Sequence, residues 1–118
     1  MVPSSIHDQI VAEVASWDGV ATGPGRFGST RFLVGRRELG HLHGDTVLDL
    51  PLPKPVKQQL LVEGVVEPHR FTPPGSGWAS FRIAGTDDLQ TAIGLLRDQH
   101  ERALRQVARV DAAGQGAR

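Results

Sequence analysis

Two histidines, His41 and His43, stand either side of one leucine in the segment Gly35-Arg-Arg-Glu-Leu-Gly-His-Leu-His-Gly-Asp45. On a strand that spacing points both rings to one face. A third, His69, follows Pro68. An imidazole with a pKa of ~6.5 can take a proton from a mildly acidic enol or phenol at neutral pH. His-x-His plus a third ligand can also hold a metal ion. Packed histidines, each hydrogen-bonded to a neighbour, are the third possibility. The residues by themselves leave all three open. The second informative segment is Pro74-Gly-Ser-Gly-Trp78. Its glycines permit a close backbone approach, Ser76 offers a hydroxyl and Trp78 can wall a pocket. It is not a nucleophile elbow, because the glycine spacing is wrong and no helix follows. Its plainer reading is a turn that starts a strand with a core Trp.

The elements that must position these residues follow from periodicity. Ser4 or Ser5 caps a first helix with Ile6, Ile10 and Val14 on one stripe, ending near Ser16-Trp17-Asp18-Gly19. Residues 18–29 read as a glycine-rich loop without phosphate-loop spacing. A meander follows, with strands over 30–34, 38–43 and 46–50. A two-residue Gly44-Asp45 turn would set His41 opposite Leu48 and Leu39 opposite Leu50. That register places both histidines on the core-facing side and Glu38 and Asp49 on the other; a bulge would reverse it. Pro55 starts a second helix that Gly64 closes. Residues 65–72 can hold a short strand. From 78 to 83, Trp78, Ser80 and Arg82 alternate with Ala79, Phe81 and Ile83. The last helix is the longest, capped by Thr86, with His100 packed in its apolar stripe and its arginines on a solvated face. His7 falls on the exposed side of the first helix. The order α-β-β-β-α-β-α predicts an α+β fold: an antiparallel β-meander sheet with helices packed on one face. One domain over 1–110 and a flexible tail over 111–118 are expected.

Composition narrows the function. The chain has 118 residues, 39% of them apolar, and its acidic and basic residues balance to zero net charge. Zero charge argues against a nucleic-acid partner or a polybasic membrane anchor. The absence of cysteine excludes disulfides, thiolate metal sites and a cysteine nucleophile. No basic n-region opens the sequence, and no stretch reaches the ~18 apolar residues of a span. A soluble cytoplasmic protein with a small-molecule substrate or ligand is expected.

The segments Gly35 to His43, Asp49-Leu50-Pro51, Pro68-His69 and Ser76-Gly77-Trp78 with Ser80-Phe81, in this order, resemble the fungal luciferase-like family, which also has many small bacterial members. The resemblance spans roughly residues 20 to 105. It implies oxidation by molecular oxygen, which the fungal members perform on 3-hydroxyhispidin, a hydroxylated α-pyrone, with loss of carbon dioxide and emission of light. It implies no organic cofactor and no metal. It implies that His41, His43 or His69 removes the enol proton, and that Arg37 or another arginine holds the enolate. Glu38, Asp49, Ser76 and Trp78 would complete the substrate site, and Trp78 and Phe32 would line a dry, flat pocket. The fungal enzymes are longer and carry an N-terminal membrane-associated segment that is not seen in this sequence, so a soluble protein is expected; a small bacterial host need not make hispidin, and fold and pocket can carry over without the substrate. A cofactor-independent oxygenase for an enolisable hydroxypyrone or related aromatic is the leading expectation. A non-catalytic binding or interaction domain and a metal enzyme using His41, His43 and His69 are the competing ones.

Overall fold

The computed structural model describes residues 5–116, with side chains through residue 110. The Ser5 hydroxyl accepts from the Asp8 N–H at 3.0 Å and caps α1 (Ile6–Ala15), which buries Ile10 and Val14. The alternative cap, Ser4, lies outside the described residues. Six strands follow, β1 (Val20–Pro24), β2 (Thr30–Val34), β3 (Arg37–His43), β4 (Val47–Pro51), β5 (Glu67–Pro68) and β6 (Trp78–Arg82), with α2 (Lys54–Val62) between β4 and β5 and α3 (Leu89–Gly116) last. Every neighbouring pair is antiparallel and the sheet order is β1-β2-β3-β4-β6-β5. The α+β architecture is the expected one. Helix α3 continues through most of the segment read as a tail, and residues 117 and 118 lie outside the description.

One element escaped the sequence. The glycine-rich loop over 18–29 contains β1, paired with β2 from Val20↔Val34 to Pro24↔Thr30. Gly23 and Pro24 are poor strand residues, but an edge strand tolerates both because half its amides need no partner. A short 3₁₀ turn, Arg26–Gly28, then leads into β2.

The register also differs from expectation, and it decides where the site lies. The β3–β4 connection has three residues, Gly44 to Thr46, so His43 faces Val47, Leu42 faces Leu48 and His41 faces Asp49. This one-residue slip buries Leu42, Leu48 and Leu50 fully on the helix side. The two-residue turn would instead bury imidazoles among those leucines. Each buried leucine contributes about 1.5–3 kcal/mol, so the hydrophobic pattern outweighs the turn preference. His41 and His43 therefore stand on the sheet face opposite the helices, not in the core. Phe32 is fully buried on the helix side, away from the face that carries the histidines.

A β-bulge adds a second correction. Phe32 pairs with Gly40 but Leu33 pairs with Glu38, which leaves Leu39 as the extra residue. Leu39 turns into the core and Glu38 turns to the histidine face. The buried Gln99 side chain of α3 donates to the Leu39 carbonyl at 3.2 Å and to the Pro51 carbonyl at 2.9 Å. Gly40 lets α3 close over the bulge: a Cβ there would lie 2.8 Å from the Asp49 carbonyl oxygen and 3.3 Å from Leu96.

The loop before β6 is fixed from below. Lys57 of α2 is buried, and its ammonium donates to the Ser76 carbonyl at 2.7 Å and the Pro74 carbonyl at 3.4 Å. Gly77 carries the next contact, since a Cβ there would sit 2.4 Å from the Leu52 carbonyl oxygen. Its glycine serves this backbone approach, not a ligand. Gly77→Ala is expected to cost about 3 kcal/mol or more, because backbone on both sides cannot yield. Urea unfolding measures this, and a midpoint unchanged from the native chain would contradict the packing.

Candidate active site

The face that the helices leave open carries the histidines. His41 and His43 come from β3, Asp49 from β4, and Trp78 and Ser80 from β6. His69 follows β5. Asp49 is the hub. Its side chain is 5% exposed. One of its oxygens, Oδ2, lies 3.1 Å from His41 Nε2, 3.0 Å from His43 Nε2 and 3.3 Å from His69 Nε2. The other, Oδ1, accepts from the Ser80 hydroxyl at 2.6 Å. A carboxylate oxygen offers two lone pairs, so His41 and His43 take the hydrogen bonds and His69 stands at ion-pair distance. Trp78 packs against two of the rings, with centroids 5.1 Å from His41 and 5.9 Å from His69.

His41 is gripped from both sides. Its Nδ1 lies 3.5 Å from Glu38 Oε2, and Glu38 is itself held by Arg31 at 2.9 Å. Burial pushes the His41 imidazole down, but the hydrogen bonds and charges of Asp49 and Glu38 outweigh it and raise it to about 9. Burial pushes the Asp49 carboxyl up, and the hydrogen bonds from His41 and Ser80 with the charge of the imidazoles bring it down to about 2. Glu38 is lowered too: its burial is offset by His41 and Arg31. This favours the charged imidazolium of His41 at neutral pH.

The other two imidazoles are arranged differently. The Phe71 N–H donates to His69 Nδ1 at 3.2 Å, which puts the His69 ring proton on Nε2, facing Asp49. His43 binds Asp49 through Nε2, and its Nδ1 has no hydrogen-bond partner among the described residues. These tautomers bear on metal binding. The ligating atoms of His41, Asp49 and His69 lie within 4.8 Å of one another. A metal would need the lone pair of His69 Nε2, where the Phe71 contact places a proton, and would displace the proton His41 shares with Asp49. His41, with Nδ1 toward Glu38, presents Nε2 to the cluster as a metal-ligating histidine does, so the same donor set can hold a shared proton or an ion.

Two residues expected at the site are elsewhere. Arg37 lies on the helix side beside Val34 and hydrogen-bonds Gln106 of α3. Ser76 stays within its loop, its hydroxyl donating to Thr72 Oγ1 at 3.0 Å and accepting from the Trp78 N–H at 3.3 Å. Arg31 stands where Arg37 was expected. Its place was legible in the alternation that buries Phe32 and Val34, once the register with β3 is known. Ser80 was signalled by its alternation with Trp78. His100 is packed as the stripe suggested, with Nε2 2.7 Å from the Asp18 carbonyl oxygen, and His7 bonds Thr30 away from the site.

Around the cluster opens a groove of about 1340 Å³. Its walls come from residues 24–27 beside β2 and residues 67–72 at the other edge of the sheet.

The family model described as Luciferase domain matches residues 36–99, more than half of the chain. The chain belongs to the luciferase domain family. Glu38, His41, His43, Asp49, His69, Trp78 and Ser80 of this luciferase-domain protein all lie inside the matched segment. No curated protein and no solved structure matches it. Among its described residues, no helix is long and apolar enough to cross a membrane.

The cluster makes stability depend on pH in a defined way. The folded value of His41, about 9, lies above its ordinary 6.5, so its contribution is complete below pH 6.5 and is lost as pH rises through 9. The folded value of Asp49, about 2, lies below its ordinary 3.8, so its contribution is complete above pH 3.8 and is lost as pH falls through 2. Thermal denaturation across pH tests this. The Tm advantage of the native chain over His41→Gln should be largest between those ordinary values and shrink toward pH 9. An advantage that grows above pH 7 would contradict the assignment.

Proposed function

We propose that this luciferase-domain protein oxidises an enolisable hydroxypyrone or related hydroxy-aromatic with molecular oxygen, without an organic cofactor or metal. The observation that supports it most is the sharing of one Asp49 oxygen by three imidazoles on the floor of an open groove. His43 is the base. Asp49 holds its Nε2–H, and Nδ1 is left with a lone pair, the division of labour of an Asp–His pair. Nδ1 takes the substrate hydroxyl proton. His41, a fixed imidazolium, stabilises the enolate. The enolate carbon gives two electrons to dioxygen, a C–O bond forms, and the resulting peroxide anion recovers the proton from His43. Trp78 supplies a flat, apolar wall for the ring. His69 positions Asp49, and Glu38 with Arg31 keeps His41 charged.

Dissolved-oxygen uptake with a panel of hydroxylated α-pyrones and catechols, in the presence of chelator, tests this. His43→Ala should lower turnover by about 100-fold or more. Asp49→Asn should lower it comparably, since an amide cannot hold the required tautomer. With the native chain, kcat/KM should fall as pH rises through about 9, where His41 loses its charge. Uptake that is indifferent to His43→Ala sinks the base assignment. Uptake lost in chelator and restored by a metal ion sinks the metal-free chemistry. No uptake with any compound favours a binding domain instead.

A further inference from the structure

Proton sharing accounts for only part of what surrounds Asp49. Its Oδ2 has two lone pairs, and His41 and His43 take them. His69 still brings a third Nε2 to 3.3 Å from the same oxygen. It follows the edge strand β5, two strands away from β4, and reaches back across β6 to get there. The strand register between β3 and β4 does not force it into that place. A third imidazole on an oxygen whose lone pairs are taken gains no hydrogen bond from it. A cation centred among these atoms would use the lone pairs of the rings and of the carboxylate together.

The spacing suits one ion. Two donors of a tetrahedral ion with bonds of about 2.0–2.1 Å stand about 3.3 Å apart. Asp49 Oδ2 lies 3.1 Å from His41 Nε2 and 3.3 Å from His69 Nε2, and the three atoms fall within 4.8 Å of one another. Two of the three groups are also held from behind as ligands are. Glu38 Oε2 stands 3.5 Å from His41 Nδ1, and Arg31 holds Glu38 at 2.9 Å. The Ser80 hydroxyl donates to Asp49 Oδ1 at 2.6 Å, which leaves Oδ2 aimed at the imidazoles. His69 is the exception, because its Nδ1 accepts from the Phe71 N–H. That contact is exposed, so water can take the N–H when the His69 proton moves to Nδ1. All three donors line the groove, so the ion's remaining positions open into it. Imidazole nitrogens select a transition ion over magnesium or calcium.

We propose that His41 Nε2, Asp49 Oδ2 and His69 Nε2 form a three-point site for one divalent transition-metal ion, with zinc as the probe. The site stands on the donor geometry and goes beyond the oxygenation reading. The ion takes the Nε2 lone pair of His41, the position that metal-free oxygenation needs protonated. Loading and metal-free turnover therefore exclude each other.

Calorimetric titration of the untagged, metal-stripped chain with zinc tests the site. One ion should bind per chain, with a dissociation constant of about 10 μM or tighter. His69→Ala should weaken it by about 100-fold or more, and Glu38→Ala, which removes an outer partner, by about tenfold. His7→Gln should change nothing, since His7 bonds Thr30 away from the cluster. Nitrogen NMR of the zinc-loaded native chain needs no variant to fold. His41 and His69 should both carry their ring proton on Nδ1, with Nε2 on the metal. Absence of saturable binding, an affinity unchanged in His69→Ala, or a His69 Nε2 still protonated in the loaded chain overturns the site. Oxygen uptake should fall along the same titration, and uptake indifferent to bound zinc overturns the exclusion. Zinc binding without oxygen uptake from any compound keeps the site and overturns the oxygenase. Metal-free uptake by a chain that binds no zinc does the reverse.

Discussion

A buried carboxylate has to be paired, and the architecture around Asp49 follows from that requirement. Its side chain is nearly sealed from water, where an isolated charge would be prohibitive. Ser80 and three imidazoles satisfy it from β3, β6 and the segment after β5. Those partners converge only if β3 and β4 hold the register that sets His41 against Asp49. The bulge at Leu39 then turns Glu38 to the same face, and Gln99 and Gly40 secure the bulge from the helix side. The core and the candidate site are thus two sides of one register.

The sheet divides labour between its faces. One face buries leucines under α1 and α3 and provides stability. The other carries titratable groups in an open groove. Arg37 shows how strict the division is, since its position beyond the bulge sends it to the helix side and to Gln106. The buried Lys57 links the two functions, anchoring on α2 the loop from which Trp78 enters the groove.

Much of this was legible in the sequence. The alternation of β6, the cap and stripe of α1, the α+β order and the family were all readable from residue pattern. His41, His43, His69, Glu38, Asp49 and Trp78 were named from the sequence and stand together in the structure. The arrangement was not legible. A turn rule for Gly44-Asp45 set the register one residue off and put the histidines in the core, whereas burial of Leu42 and Leu48 requires the three-residue turn. The bulge leaves no composition signal. β1 was hidden by Gly23 and Pro24, which an edge strand tolerates.

The central claim is that His41 is held charged between Asp49 and Glu38 while His69 keeps its proton on Nε2, toward the same Asp49. Nitrogen NMR of the histidine side chains reads this directly. At pH 7.5 the His41 ring should show both nitrogens protonated and should release a proton only near pH 9. His69 should show its proton on Nε2 and an unprotonated Nδ1. A His41 that titrates near its ordinary 6.5, or a His69 protonated on Nδ1 with Nε2 bare, would contradict the account.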